Sequence, residues 1–108
     1  MIASLRAEAV AELLHKHPDR YVLLDVRELD EREIGRIEPS LHIPMNEVPN
    51  RLAELPKDRE LIVYCHSGTR SMMVAGFLHG AGFKSVSNLD GGIDAWSRKV
   101  DPTVPRYS

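Results

Sequence analysis

The sequence has little that would point to a membrane, an exported protein or a nucleic-acid partner. Across its 108 residues, charged residues interrupt every apolar stretch before it reaches the length of a signal-peptide core or a membrane span. Lys and Arg number 14 against 16 Asp and Glu, which gives a formal charge of -2, and the basic residues are scattered. We therefore expect a soluble, cytoplasmic protein with neither a membrane nor nucleic acid as a partner.

Cysteine occurs only once, at Cys65. A single cysteine cannot form an intramolecular disulfide or a metal site of several thiolates, and the five histidines are dispersed. The sequence therefore predicts no metal and no other cofactor. Cys65 is then either an inert core thiol, which is the more common case for a lone cysteine, or a reactive one.

The composition is that of an ordinary globular domain. Hydrophobic residues make up 43% of the chain and charged residues 28%. A chain of this length buries one core and has no room for a second independent lobe. Any active site is therefore expected in loops above one sheet.

Short apolar runs alternate with helical patterns along the chain. Ser4 is expected to cap a first helix, with Val10, Leu13 and Leu14 on one face, and Gly35 to stop the second in a left-handed conformation. The predicted strands are Tyr21–Val26, Leu41–Ile43, Leu61–Tyr64 and Ser85–Leu89. The later predicted helices are Leu29–Ile34, Asn46–Leu55 with Asn46 as its cap, a helix with Val74, Phe77, Leu78 and Ala81 on one face that ends at Gly82, and Ile93–Val100. This alternation predicts an α/β sandwich with a mostly parallel sheet.

The segment from Cys65 to Arg70 lies between an apolar strand and a helix. Ligands of α/β sheets bind beyond the carboxyl ends of the strands, and a helix N-terminus favours a thiolate over a thiol. Gly68 allows the loop to curl tightly, so that its backbone amides point inward. The guanidinium of Arg70 has several N–H donors in a forked arrangement, which suits an anion that carries several oxygens. This placement favours a reactive Cys65.

Other polar residues near the loop have more than one interpretation. Ser67, Thr69 and Ser71 could add hydroxyl donors to this loop. His66 could orient a substrate, but its ring could equally point to solvent, so its backbone amide is the group we expect to contribute. Asp25 and Arg27, which follow the first central strand, are interpreted as a structural ion pair.

The pattern Cys65-X-X-Gly68-X-Arg70 resembles the active-site loop of the rhodanese family of sulfurtransferases. Asp25-Val26-Arg27-Glu28 is similar to the family's Asp-Val-Arg-Glu segment. The stretch Leu89–Trp96 is similar to its closing motif, a glycine pair followed by Ala-Trp. Two departures are Arg36 in place of the usual histidine and Glu38-Pro39-Ser40 in place of Pro-Gly-Ala.

The resemblance implies that residues 1–108 form one rhodanese-like domain, a three-layer α/β sandwich whose mostly parallel central sheet is flanked by helices. It implies a sulfurtransferase in which Cys65 takes sulfane sulfur from a small donor such as thiosulfate and holds it as a persulfide. The acceptor would be cyanide, a thiol or a sulfur-acceptor protein, because no second cysteine can resolve the persulfide. The implied substrate-binding residues are His66, Ser67, Gly68, Thr69 and Arg70.

Two other functions are compatible with the same residues. A cysteine-dependent phosphatase or arsenate reductase also places a thiolate and an arginine around an anion, but such phosphatases resemble Cys followed by five residues and then Arg, and here four intervene. A regulatory or sulfur-relay rhodanese module would act with a protein partner. Purely regulatory modules often lack the cysteine, whereas a relay subunit would keep Cys65, Gly68 and Arg70.

Overall fold

Five parallel strands form the central sheet in the computed structural model, which describes residues 2–108. The strands are β1 (Ala3–Leu5), β2 (Tyr21–Asp25), β3 (Leu41–His42), β4 (Glu60–Tyr64) and β5 (Val86–Leu89). The helices are α1 (Ala7–Lys16), α2 (Leu29–Ile34), α3 (Thr69–Gly80) and α4 (Gly92–Lys99), with two short 3₁₀ helices at Met45–Asn50 and Leu52–Glu54. The strand order is β1-β5-β4-β2-β3, so β4 lies at the centre.

Each face of the sheet is covered by its own hydrophobic core. Successive side chains of a strand point to opposite faces, so Leu23 and Leu24 of β2 belong to different cores. Leu24 packs with α3 and the 3₁₀ helices, and Leu23 packs with α1 and α4. This arrangement confirms the predicted three-layer α/β sandwich, and all of the strand pairs are parallel. None of the helices in residues 2–108 combines the length and hydropathy needed to cross a membrane.

The N-terminal segment differs from the expectation. Ser4 does not cap a helix but lies in β1, where it is in register with Asn88 of β5. Helix α1 begins at Ala7 after Arg6 in an extended conformation. The three residues of β1 are too few to show a strand period, and their partner lies more than 80 residues away in the chain.

The predicted helix Asn46–Leu55 is also wrong in form. Two 3₁₀ helices replace it, and the first begins at Met45, so Asn46 does not act as a cap. Pro49 lies inside this first segment, and in an α-helix its ring would clash with the carbonyl of Met45 four residues earlier, which disfavours a continuous α-helix here.

Two smaller expectations are also corrected. Gly35 ends α2 as predicted, but with a φ of -178°, so its backbone is extended rather than left-handed. Phe77 and Ala81 are exposed, whereas Val74 and Leu78 of the same predicted face are buried. The face of this helix that packs against the core is therefore narrower than its apolar pattern indicates.

Candidate active site

Cys65 is the first residue after β4, and its sulfur lies against the loop that leads into α3. The N–H groups of Gly68 and Ser71 donate to Sγ, with N···S distances of 3.1 and 3.3 Å. Only 1% of the surface of Cys65 is exposed. Two N–H donors directed at one sulfur are suited to hold negative charge there, and a negatively charged sulfur is the nucleophilic form.

The first turn of α4 fixes the beginning of the loop. The N–H groups of Ile93 and Asp94 donate to the carbonyl oxygens of Cys65 and His66, at 2.9 and 3.1 Å. Gly92 permits this close approach, because its φ is +60° and an added Cβ would lie 2.4 Å from both oxygens. The loop is therefore held by a neighbouring helix as well as by its own bonds.

The middle of the loop carries backbone donors that are not used elsewhere. Gly68 has a φ of 106°, in the left-handed region that favours glycine, and provides the tight curl that the sequence predicts. Among the residues that the structure describes, the backbone N–H groups of His66, Ser67, Thr69 and Arg70 donate to no other group. A curled loop of free amides is a general form of anion-binding site.

Arg70 forms a two-pronged ion pair with Glu31 of α2. Its Nη1 and Nη2 atoms each lie 2.8 Å from one oxygen of the carboxylate. These bonds lower the pKa of Glu31 to about 2 and hold the pKa of Arg70 above its usual range. The sequence predicts an arginine fork that is free to meet a donor anion, but the structure places both Nη atoms on a carboxylate.

Tyr107 connects this ion pair to the cysteine loop. Its hydroxyl donates to Glu31 Oε2 at 2.6 Å and accepts a bond from Arg27 Nη1 at 3.2 Å. Its ring stacks on His66, with the two centroids 4.2 Å apart. Burial raises the pKa of Tyr107 to about 12, so the hydroxyl keeps its proton at neutral pH. Sequence reasoning missed both Glu31 and Tyr107.

The side chains of the loop differ in their roles. Nε2 of His66 donates to the carbonyl oxygen of Tyr107 at 2.9 Å, so this ring supports the C-terminal segment. Ser67 and Thr69 are exposed. Within residues 2–108, no group of three or more His, Cys, Asp or Glu side chains is arranged to hold a metal ion. What the loop offers a ligand is N–H groups and hydroxyls.

Asp25 and Arg27 form the structural ion pair that the sequence predicts. Two bonds of 2.8 and 2.9 Å join the guanidinium to the carboxylate, and both side chains are fully buried. Burial alone would raise the pKa of Asp25, but the bonds from Arg27 hold it below its usual range. Tyr64 also donates to Asp25, at 3.0 Å, so the network ties the carboxyl ends of β2 and β4 together.

A second buried network reaches the sulfur from β5. Ser71 Oγ lies 3.3 Å from Cys65 Sγ and donates to Asn88 Oδ1 at 2.5 Å. Asn88 Nδ2 in turn donates to Ser4 Oγ at 3.2 Å and to the carbonyl of Gly68 at 3.4 Å. Ser71 and Asn88 are both buried. Asn88 was not among the sequence candidates, because only the folded sheet brings β5 next to the loop.

Comparison with known families identifies this arrangement. The family model for the rhodanese-like domain matches residues 6–99, a stretch that runs from α1 to the end of α4 and includes the loop at Cys65. The chain belongs to the rhodanese-like domain family. The rhodanese-like fold expected from the sequence is thereby confirmed.

Relatives with rhodanese-like sequences extend this finding. A sulfurtransferase of Allochromatium vinosum is 38% identical over 104 residues, which cover 96% of each chain. A putative sulfur carrier protein of Bacillus subtilis, YrkF, is 42% identical over 79 residues, or 73% of this chain and 43% of that protein. Thiosulfate sulfurtransferase GlpE of Pseudomonas savastanoi pv. phaseolicola is 33% identical over 75 residues, or 69% of this chain and 71% of that protein. These relatives support sulfur transfer of the rhodanese type.

A solved structure agrees with the sequence comparisons. A rhodanese-related protein from Thermoplasma volcanium superposes with a TM-score of 0.81 at 30% identity. The similarity covers 97% of this chain and 99% of that protein. The likeness therefore extends over the whole sandwich and is not confined to the loop at Cys65.

Proposed function

We propose that this protein moves sulfane sulfur from an anionic donor such as thiosulfate to cyanide or a thiol, through a persulfide on Cys65. The observation that carries the proposal is the set of hydrogen-bond donors around the sulfur of Cys65. Two N–H groups donate to Cys65 Sγ, and four further amides of the same short loop are free. The similarity to GlpE, which is named a thiosulfate sulfurtransferase, supports thiosulfate as the first donor to test.

In the first half-reaction the Cys65 thiolate attacks the outer sulfur of thiosulfate. A bond forms between Sγ and that sulfur while the sulfur–sulfur bond within thiosulfate breaks, and its electron pair leaves with sulfite. The outer sulfur of the persulfide carries the negative charge. The loop amides are the groups that stabilise this charge, because backbone N–H donors strengthen when the acceptor is ionised.

In the second half-reaction cyanide attacks the outer sulfur of the persulfide. The bond from this sulfur to Sγ breaks, thiocyanate leaves, and the electron pair of the broken bond restores the Cys65 thiolate. The cycle needs neither an oxidant nor a reductant. Since Cys65 is the only cysteine, the acceptor must come from outside the chain, and the similarity to the putative sulfur carrier YrkF supports a protein thiol as a second class of acceptor.

Arg70 takes a different part in this proposal from the one that the sequence suggests. Its guanidinium is paired with Glu31, so the loop amides bind the donor anion and Arg70 holds α2 against the beginning of α3. Its positive charge is still close enough for the Cys65 thiolate to contribute to the raised pKa of Arg70.

Intact-mass measurement tests the proposal most directly. After incubation with thiosulfate the protein should gain about 32 Da, the mass of one sulfur atom, and lose it again on addition of cyanide with release of thiocyanate. The Cys65→Ser variant is the matched control, since serine is close in size but forms no persulfide. This variant should keep the wild-type circular dichroism spectrum and release no thiocyanate. The proposal would be contradicted if Cys65→Ser released thiocyanate as fast as the wild-type protein, or if the wild-type protein took no sulfur from any sulfane donor.

A further inference from the structure

The hydroxyl of Ser71 is adjacent to the reactive sulfur, but its proton is directed elsewhere. Ser71 Oγ lies 3.3 Å from Cys65 Sγ, and its O–H points to Asn88 Oδ1 at 2.5 Å. A hydroxyl has one proton to donate, so Ser71 cannot give the same proton to the sulfur. The oxygen presents only lone pairs to Sγ, and the sulfur is left with its two N–H donors.

The orientation of the Asn88 side chain determines this direction. Asn88 Nδ2 donates to Ser4 Oγ and to the carbonyl of Gly68, and a carbonyl can only accept. The amide group therefore places its NH₂ towards Gly68 and its oxygen towards Ser71. A reversed amide would put two oxygens face to face and would force the Ser71 proton back towards Cys65.

We propose that Asn88 is a positioning residue that keeps the Ser71 hydroxyl away from Cys65 Sγ and so keeps this sulfur a strong nucleophile. The inference rests on the proposed function, because it concerns the same persulfide cycle. A thiolate that accepts an additional hydrogen bond is a weaker nucleophile but a better leaving group. The two half-reactions use Sγ in these two different ways.

Loss of the Asn88 oxygen should therefore change the two half-reactions in opposite directions. In Asn88→Ala the Ser71 proton is free to turn to Sγ. Loading from thiosulfate, in which Sγ is the nucleophile, should slow by about three- to fivefold, and discharge to cyanide, in which Sγ leaves, should accelerate by a similar factor. A general loosening of the loop would slow both half-reactions.

The experiment measures each half-reaction in single turnover. Loading is followed by intact mass at a pH where its rate no longer rises, so that a change in the fraction of thiolate does not enter. Discharge is followed by thiocyanate release from protein that has been loaded beforehand. Ser87→Ala, one residue earlier in β5, is the matched control and should leave both rates unchanged. Asn88→Leu has the same number of side-chain heavy atoms and the same branching as asparagine but no acceptor, and it replaces Asn88→Ala if that variant fails to fold.

A double variant shows whether Asn88 acts through Ser71. When Asn88→Ala is added to Ser71→Ala, no hydroxyl proton remains to be redirected, so the opposite changes should disappear. The inference is overturned if both rates fall together in the Asn88 variants, if neither changes, or if the opposite changes persist without the Ser71 hydroxyl. A wild-type protein that takes no sulfur at all overturns the proposed function. If the wild-type protein does take up sulfur, the proposed function stands, and the rates of the Asn88 variants then test the role of Asn88 alone.

Discussion

The hydroxyl of Tyr107 donates to Glu31 Oε2 across 76 residues of sequence, and Glu31 in turn holds both Nη atoms of Arg70. The C-terminal segment, α2 and the beginning of α3 are thus joined by a single carboxylate. The last residue of the cysteine loop is fixed by groups that lie far from it in the chain.

Removal of the Tyr107 hydroxyl should weaken this junction without disturbing the ring. Tyr107→Phe keeps the stacking on His66 but loses the bonds to Glu31 and from Arg27. We expect a loss of about 1–2 kcal/mol in the free energy of unfolding, since both partners are charged and largely removed from solvent. Tyr107→Ala should lose about 1 kcal/mol more, because the stacked ring is lost as well. Urea unfolding of the three proteins measures both steps, and a Phe variant as stable as wild type would show that the hydroxyl bonds are not significant.

The Glu31–Arg70 ion pair should make stability depend on pH in acid. Folding lowers the pKa of Glu31 from 4.5 to about 2, mainly through the bonds from Arg70, so the folded state favours the ionised form. The stabilisation from this group is complete above pH 4.5 and is lost as the pH falls towards 2. The difference in unfolding free energy between wild type and Glu31→Gln should be constant from pH 6 to 8 and decrease below about pH 4.5. A difference that grows in acid would contradict the assignment.

Gly92 should tolerate no side chain. Its φ is +60°, and a Cβ would lie 2.4 Å from the carbonyl oxygens of Cys65 and His66. We expect Gly92→Ala to lose more than about 3 kcal/mol of stability, through backbone strain and separation of α4 from the loop. Gly76→Ala is the control, because this exposed position in α3 has nothing within 4 Å, and it should gain about 0.5–1 kcal/mol. Thermal or urea unfolding compares the two variants.

The short loop should also exclude phosphate-ester hydrolysis. Four residues separate Cys65 from Arg70, and Arg70 is paired with Glu31 rather than free to hold a phosphate. We expect no measurable hydrolysis of a generic aryl phosphate under conditions where thiosulfate loads the protein. Efficient hydrolysis without sulfur loading would favour the phosphatase alternative.

Local features of the sequence predict the region around Cys65 well. The apolar run of β4, the glycine of the loop and the start of α3 are all consecutive, so their order alone places Cys65 at the carboxyl end of a central strand. The ion pair of Asp25 and Arg27 is also local, since the two residues lie on either side of Val26. These predictions depend on neighbours in the chain, and the structure retains them.

Features that depend on distant pairing could not be predicted in the same way. The strand β1 exists through its pairing with β5, and Ser4 on its own looks like a helix cap. Glu31 and Tyr107 reach Arg70 and His66 only after α2 and the C-terminal segment have packed beside the loop. The partner of Arg70 was missed for this reason. Nothing in the sequence around the loop indicates that the Arg70 guanidinium is already paired with a carboxylate.

The depth of Cys65 has a consequence for the shape of any acceptor. Only 1% of this residue is exposed, and the loop that holds it is bound to α4. A persulfide extends the side chain by about 2 Å, the length of one sulfur–sulfur bond, so the transferable atom stays close to the floor of the loop. A linear ion such as cyanide fits this geometry, as does a thiol at the end of a thin, extended arm. We therefore expect a cysteine set flat in the face of a folded protein to be a poor acceptor, since its sulfur would have to reach a buried atom past a loop whose Ser67 and Thr69 are exposed.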